Sequence, residues 1–530
     1  MSERQSVRPG HSSLIVEPPV TEWPTIAAEN SRLLADGECV VAGQPLDRLR
    51  ALARREALDL ARAFTARAGL PSVAAHHENP EGPLVVTGHQ PILCSTGVWS
   101  KYFALSHFAK RTGGTGIDLV IDSDRAGPIA VDVPSLGGRP SIESVVLSPG
   151  NPNGYFAAVP TPAHVQVESF GAEVLSALGE LPHSEARLNF EAFLSALMIA
   201  LPLAENLAEL MSFTRRHFET SAGLNYLQLP VTALSETLSF RSFAADILTR
   251  ADEFAAVYNQ ELAVFRGTHK VRSAAQPVPD LRRDENGVEL PFWLLVGGVR
   301  QRTFVRRSGG AIELFTQEEG GAHVMPIATD VLKLQLEHVK LVPKALIITM
   351  YTRLLLADMF IHGTGGARYD SVTNAIIRRF YGVDSPHFAV TSVPAPSPFV
   401  CGEPELEQKI SAAEDRLKTL TRRPERALSA MLLDPDHVPG TAALELVSQK
   451  LRMVSEIAKP GADKALLGER IRHINELLRA SLQDEVTAVE DQLAGLRARA
   501  TKAAILSDRR YPYCFFDPRE YSRMFDRAVL

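Results

Sequence analysis

The sequence predicts an α/β protein with a parallel-sheet core, an inserted α+β region and a C-terminal antiparallel coiled-coil arm. Three observations predict this. Residues 83–124 read as strand, loop, helix, strand, a βαβ unit that seeds a parallel sheet. Residues 290–315 break into short aromatic and β-branched runs separated by glycine turns, the pattern of an antiparallel meander. From Glu403 the chain becomes highly charged, with leucines near heptad spacing.

The elements follow in order. The first 30 residues are polar and proline-rich and are expected to form an arm on the surface. Leu46–Ala68, rich in Ala, Arg and Leu, predicts a helix. Pro83–Thr87 (PLVVT) is a short apolar run suited to a buried strand, ended by Gly88. Val98–Lys110 carries Trp99, Tyr102, Phe103, Leu105 and Phe108 mostly on one helical side. Asp118–Asp124 (DLVIDSD) predicts a second strand ending in acids. Phe190–Thr220 and Ser242–Val264 predict helices, and PFWLLV, RTFVRR and AIELF form the meander. The whole region from about residue 150 to 330 reads as an insertion outside the first sheet. Lys344–Thr349 then predicts a strand, Leu354–Ile361 and Asp370–Phe380 helices, and Phe388–Ser392 a last strand.

In the arm, Leu406, Ile410, Leu417 and Leu420 recur near heptad spacing, and Leu444–Ala458 repeats the pattern. Leu466–Thr501 reads as one long helix, which at 1.5 Å per residue would reach about 54 Å. Such a helix needs a partner along its length. The aromatic tail RRYPYCFFDPREYSRMF is expected to dock on the core, because a free tail would not expose so many rings. The expected organisation is therefore 1–150 and 331–402 as two parts of one core. Residues 151–330 form the insertion, 403–505 the arm and 506–530 the docking tail.

Composition narrows the function. The chain has 530 residues, 45% apolar and 22% charged, so it is globular and large enough for several domains. A net charge of −6 argues against a general nucleic-acid binder. The four cysteines, Cys39, Cys94, Cys401 and Cys514, form no CxxC, which fits a reducing compartment. MSERQSVRPGHSS has no apolar signal core. The most apolar long segment, Ala345–Ile361, is interrupted by Arg353 and Asp358. A cytoplasmic protein without a membrane partner is expected.

Three stretches carry chemistry. The first is Thr87, Gly88, His89 and Gln90 at a strand end, where open parallel sheets face their ligand crevice. His89 offers acid/base chemistry. Ser95, Thr96 and Gly97 precede a helix, whose free N–H groups favour anions. The second is Asp122-Ser123-Asp124-Arg125, with two carboxylates expected on one face of an extended strand end. The third is His362-Gly363-Thr364-Gly365-Gly366-Ala367-Arg368-Tyr369-Asp370, expected to form a flexible anion nest with Asp370 capping the next helix. It matches neither a Walker A loop nor GxGxxG. The plainer readings are a turn with a surface histidine, a capped strand end and a structural loop. Cys94 reads as a core residue rather than a nucleophile, and Arg302–Arg307 and Arg422–Arg426 read as solvated. No HExxH, GxSxG or paired-Cys metal signature occurs.

Together these motifs resemble the bacillithiol cysteine-adding enzyme family. VVTGHQ followed by TG and VWSKYFALSHFAK is similar to that family's VVTGQQ…TGPLYTIYKA pattern. The DSD turn falls where the family has an acidic strand end. HGTGGARYD falls where it has GGPGExxYW, and YPYCFFDP where it has LFPxG. The resemblance spans most of the chain, in the same order, through short motifs. It implies a Rossmann-like core with inserted connecting domains and a coiled-coil arm that supports a homodimer. It also implies a ligase that joins cysteine, or a similar amine-bearing small molecule, to a sugar-type acceptor. ATP or ADP is the candidate nucleotide, and a metal is left open. Gly88, His89 and Gln90 would line the pocket. Asp122 and Asp124 would hold a polar substrate group, and Gly365, Gly366 and Tyr369 would form the opposite wall. The chain departs from the family in having His89 for Gln, Ser123 and Arg125 in the acidic turn, and the added His362 and Arg368. Catalytic roles are expected for His89, Asp122 and Asp124. The alternative is a non-catalytic assembly module working through the arm.

Overall fold

The computed structural model describes residues 14–35, 39–70, 82–179, 181, 185–273, 278–285, 287–308, 311–316, 324–327, 340–399, 405–431 and 440–529. The chain divides into two units. One comprises Met1–Val133, Glu143–Pro398 and Arg509–Leu530, and the other Pro134–Ile142 and Phe399–Asp508.

The larger unit is built on a six-stranded sheet. Its strands are β1 (Ile15–Glu17), β2 (Leu84–His89), β3 (Thr115–Val120), β4 (Leu227–Pro230), β5 (Met359–His362) and β6 (Phe388–Ser392). The spatial order is β1-β6-β5-β2-β3-β4. The five strands β2–β6 run parallel, and β1 adds an antiparallel edge against β6. Counted alone, the parallel strands lie in the order 3-2-1-4-5. Every residue of β3 and β4 is buried, as expected of parallel strands covered on both faces.

The βαβ unit forms as the sequence predicts. The helix Thr96–Thr112 buries Trp99, Tyr102, Phe103, Leu105 and Phe108. Gly113 ends it at φ 66, a left-handed cap that glycine adopts without strain, and β3 starts two residues later.

Several expectations are corrected. Leu227–Pro230 pairs in parallel with β3, so a core strand lies inside the region read as an insertion. Its four residues are too few to show a periodicity. Lys344–Thr349 is not a strand, since Ala345–Tyr351 is helical and continues as a π-helical turn, Thr352–Leu356. The strand is instead Met359–His362, which overlaps the end of the stretch read as helix. A continuous apolar run shows neither period 2 nor period 3.6, so its sequence does not separate buried strand from buried helix. Phe190–Thr220 divides into Glu185–Ala200 and Leu207–Glu219, parted near Pro202, with Asn206 capping the second helix. Ser242–Val264 divides at Arg250.

The meander forms with strands Gly287–Val296, Val299–Ser308, Ala311–Thr316 and Val324–Ile327, and Lys340–Pro343 pairs back onto the first. Gly297 and Gly298, at φ 55 and 79, supply the two-residue hairpin turn that needs positive φ twice. The aromatic tail is buried in the same unit. Tyr521 donates its hydroxyl hydrogen bond to the Thr96 carbonyl at 2.8 Å, and Trp99 stacks on Tyr513 and Tyr521. Among the described residues one helical stretch, Glu185–Leu203, is long and apolar enough to cross a membrane, and 33% of it is buried within the fold.

From Leu406 onward the described residues of the second unit are mainly helical. The expected long helix is broken at residues 481–482 into Lys464–Ala480 and Gln483–Leu506. Leu406–Arg422 packs along the latter. Leu406 and Ala413 cluster with Leu493 and Leu496, whereas Leu420 clusters with Val489, so the two helices run antiparallel.

Asp358 fastens the start of β5 to its surroundings. Its carboxylate accepts from Arg50 Nη2 at 2.6 Å, Arg54 Nη1 at 2.8 Å and the Leu84 backbone N–H at 2.7 Å. Burial lowers the Arg50 pKa to about 10, with the Asp358 charge opposing that shift. Removing one partner strands a buried charge, which costs about 3–5 kcal/mol. D358A is therefore expected to lose stability on that scale in urea unfolding. A loss below about 1 kcal/mol would show that the cluster is not needed.

Candidate functional site

β2 and β5 lie side by side, with Met359 opposite Val85 and Phe360 opposite Val86. From β2 the chain proceeds through a helix to β3 on one side, and from β5 through a helix to β6 on the other. The strand order therefore reverses between them. In open parallel sheets, that reversal leaves a crevice at the carboxyl ends where ligands bind. A cavity of about 440 Å³ occupies this place.

The sequence-predicted residues Gly88, His89, Gln90, Ser95, Gly97, Asp124, His362, Gly363, Gly365 and Gly366 all line it. The first and third stretches thus converge across more than 270 residues of chain, and the second contributes Asp124. Two helices, Thr96–Thr112 and Thr364–Ile376, present their N-termini here. Neither N-terminus carries a side-chain cap, and neither first turn contains an acid. Their first N–H groups have no intrahelical acceptor, and their dipoles place positive potential on the cavity.

The glycines serve close approach. A Cβ on Gly97 would lie 2.8 Å from Ser392 Oγ, and one on Gly366 2.8 Å from His362 Nδ1. The expected flexible nest is corrected. Gly363 is extended at φ −84, Gly365 and Gly366 lie in the first helical turn, and none has positive φ. Three glycines in four positions read as a loop because glycine is a poor helix former, yet the helix starts at Thr364.

Lys101, which sequence reasoning missed, is the cation of the cavity. It is buried, and its Nζ donates to the Gly88 carbonyl at 2.7 Å. Burial lowers its pKa to about 8, so it remains charged at neutral pH. Its signal in the sequence is a lysine inside the apolar, aromatic helix WSKYF. The cavity also takes Ala345, Ile348 and Thr349 from the helix misread as a strand, together with Ser392.

His89 places Nδ1 3.1 Å from the Gln90 carbonyl. A carbonyl only accepts, so Nδ1 carries the proton and Nε2 keeps its lone pair. Burial, reinforced by the Lys101 ammonium, lowers the His89 pKa to about 3. The imidazole is neutral at physiological pH. His362 donates from Nε2 to Asp370 Oδ2 at 2.8 Å, and Arg353 Nη1 donates to the same oxygen at 2.6 Å. Burial lowers the His362 pKa against the pull of Asp370. Burial raises the Asp370 pKa, but Arg353 and His362 outweigh it and hold the carboxyl below its usual range.

The two acids of the DSD turn separate, because the residues form a turn beyond β3 rather than extended strand. Asp124 lines the cavity and accepts from Gln90 Nε2 at 2.7 Å, from Arg300 and from the Arg125 N–H. Burial raises its pKa, and these donors more than offset it. Asp122 instead accepts from the Thr232 N–H at 2.9 Å and from its hydroxyl. Burial raises the Asp122 pKa to about 6.

Other predicted residues support the walls from behind. Thr87 donates to the Ile361 carbonyl at 2.7 Å, and Thr96 Oγ1 accepts from the Ala395 N–H at 3.0 Å. Asp370 holds His362 rather than capping the helix. Arg368 is exposed and lies over the Tyr369 ring, which packs on Phe265, and neither lines the cavity. Among the described residues no group of three or more His, Cys, Asp or Glu side chains is placed to hold a metal ion. Comparison with protein-family models and with curated proteins finds no match for the chain.

The His89 assignment has a pH signature. Its folded pKa of about 3 lies below the ordinary 6.5. The unfolded chain therefore binds a proton that the folded chain refuses. The associated stability is complete above pH 6.5 and is lost as pH falls toward 3, by up to about 1.4 kcal/mol per unit. In urea unfolding from about pH 7 down to about pH 4, H89Q should lose less stability than wild type. Equal losses would mean that His89 titrates normally.

Proposed function

We propose that the larger unit is a Rossmann-like core that carries a ligase- or transferase-type active site for small, polar, anion-bearing substrates. One observation carries this reading. Two uncapped, acid-free helix N-termini and the buried Lys101 meet in one cavity where the strand order reverses. That arrangement suits a phosphate or carboxylate. The 3-2-1-4-5 order of the parallel strands supports the Rossmann-like assignment.

Within this reading, the resemblance to the bacillithiol cysteine-adding enzymes supplies the reaction. An amide bond joins cysteine, or a similar amine-bearing small molecule, to a sugar-type acceptor. As the amine attacks the carbonyl carbon of an acyl phosphate, the C–N bond forms and the C–O bond to the departing phosphate breaks. His89 Nε2, with the lone pair of a neutral imidazole, accepts a hydrogen bond from the attacking amine and orients it, and the amine proton leaves with the departing anion. The oxyanion and the leaving group are met by Lys101 and the helix N–H groups. Gln90, oriented by Asp124, and the His362–Asp370 pair position the substrates. ATP or ADP is the nucleotide that this cradle would take. The antiparallel pairing of Leu406–Arg422 with Gln483–Leu506 supports a coiled-coil arm, shorter than its seam suggested, through which the protein would form a homodimer in the cytoplasm.

A thermal-shift series with ATP, ADP, cysteine and glucosaminyl-malate tests this. A ligand at a hundredfold excess over Kd should stabilise the protein by about 2.7 kcal/mol. The shift should vanish in K101M. A silent series would favour the assembly module instead. H89A should abolish turnover with its unfolding temperature almost unchanged, whereas a drop of several degrees would mark His89 as structural.

A further inference from the structure

A second cavity, of about 210 Å³, lies beside the first in the larger unit. Ile121, Asp124, Ala345 and Ile348 line both, so the two chambers share a wall. The far side of the second comes from the meander, through Glu289, Trp293, Arg300 and Arg302, and from Lys344.

The charges there do not balance. Arg300, Arg302 and Lys344 face two carboxylates, Asp124 and Glu289. Asp124 is taken by Arg300 and Gln90. Glu289 is almost fully buried and accepts from Lys344 Nζ at 2.7 Å and from the Arg282 N–H at 3.2 Å. Arg302 is left over. Its only charged partner among the described residues is Glu289 at 3.8 Å, beyond hydrogen-bond length, and its side chain is 37% exposed. Its planar fork of N–H donors is therefore uncommitted, and that fork matches a carboxylate or phosphate in two parallel bonds. Trp293, with Arg300 4.5 Å and Lys344 4.6 Å from its ring, forms the rigid flank. The volume is below the roughly 300–1,000 Å³ of pockets for drug-sized ligands, so the chamber suits a small molecule rather than a nucleotide. In the sequence Arg302 read as part of a solvated patch.

We propose that this chamber is a second oxyanion subsite, which takes a small carboxylate- or phosphate-bearing molecule on Arg302 beside Trp293. It rests on the two-substrate reading above, and it places the second reactant across the Asp124 wall from the first. Asp124, bound by Gln90 from one chamber and by Arg300 from the other, keeps the two anion sites electrostatically apart.

Trp293 provides the test, because the other two tryptophans, Trp23 and Trp99, are buried elsewhere. The full chain is titrated with malonate and, separately, with inorganic phosphate while tryptophan fluorescence is followed. A saturable change is expected with at least one of them, and the anion that saturates names the ligand class. The change should disappear in W293F, and its midpoint should rise at least tenfold in R302Q and less in R302K. It should persist in K101M. No saturable change in wild type, or one that K101M removes and R302Q leaves, would overturn the second subsite. Failure of the first-cavity reading looks different. K101M would then keep every thermal shift while the Trp293 response stayed intact.

Discussion

Pairing of β2 with β5 is the constraint on which the rest of the larger unit depends. These strands are about 270 residues apart in sequence, and their contact is secured at both ends. Asp358 collects Arg50, Arg54 and the Leu84 N–H at the start, and Thr87 reaches the Ile361 carbonyl near the finish, 274 residues away in each case for the β2 contacts. Because the chain departs from the two strands in opposite directions, their carboxyl ends cannot be bridged by a common helix. The gap that results is the cavity. Both glycine-containing turns are brought to it by this pairing alone.

Burial then sets the chemistry of the groups placed there. Lys101 and His89 are close enough to influence one another, and desolvation presses both toward their neutral forms. Lysine starts from a high pKa and stays charged, while histidine starts near neutrality and loses its proton. One environment thus yields a fixed cation and a neutral hydrogen-bonding imidazole side by side. The second histidine is handled differently. Asp370, itself kept ionised by Arg353, fixes which nitrogen of His362 carries its proton.

The aromatic tail completes the first of the two helix ends. Trp99 stacks on Tyr521 and Phe103 meets it edge-on, and the Tyr521 hydroxyl engages the backbone at both Thr96 and Val393. The last residues of the chain therefore brace the turn that presents Ser95 and Gly97 to the cavity. Two of the described cysteines near the cavity are held in their unreactive form. Cys94 and Cys514 are buried in the same layer, and burial raises both thiols away from the reactive thiolate form.

By itself the sequence determined the features that local pattern encodes. The strand–helix–strand of residues 84–120, the meander with its Gly297–Gly298 turn and the amphipathic helices after residue 405 were all legible, because hydrophobic period and turn residues act over a few positions. So were ten residues of the cavity wall, since glycines beside histidines at strand ends are a local signal. Tertiary structure decided what depends on distant partners. Leu227–Pro230 is a strand only because β3 lies beside it. Ala345–Tyr351 is a helix because its apolar run is covered on several sides, which removes the period that would have revealed it. Asp122 and Asp124 part company because Thr232 claims one and Arg300 the other. Lys101 and Arg302, ordinary cations in sequence, gained their significance from burial and from the partners that the fold supplied or withheld.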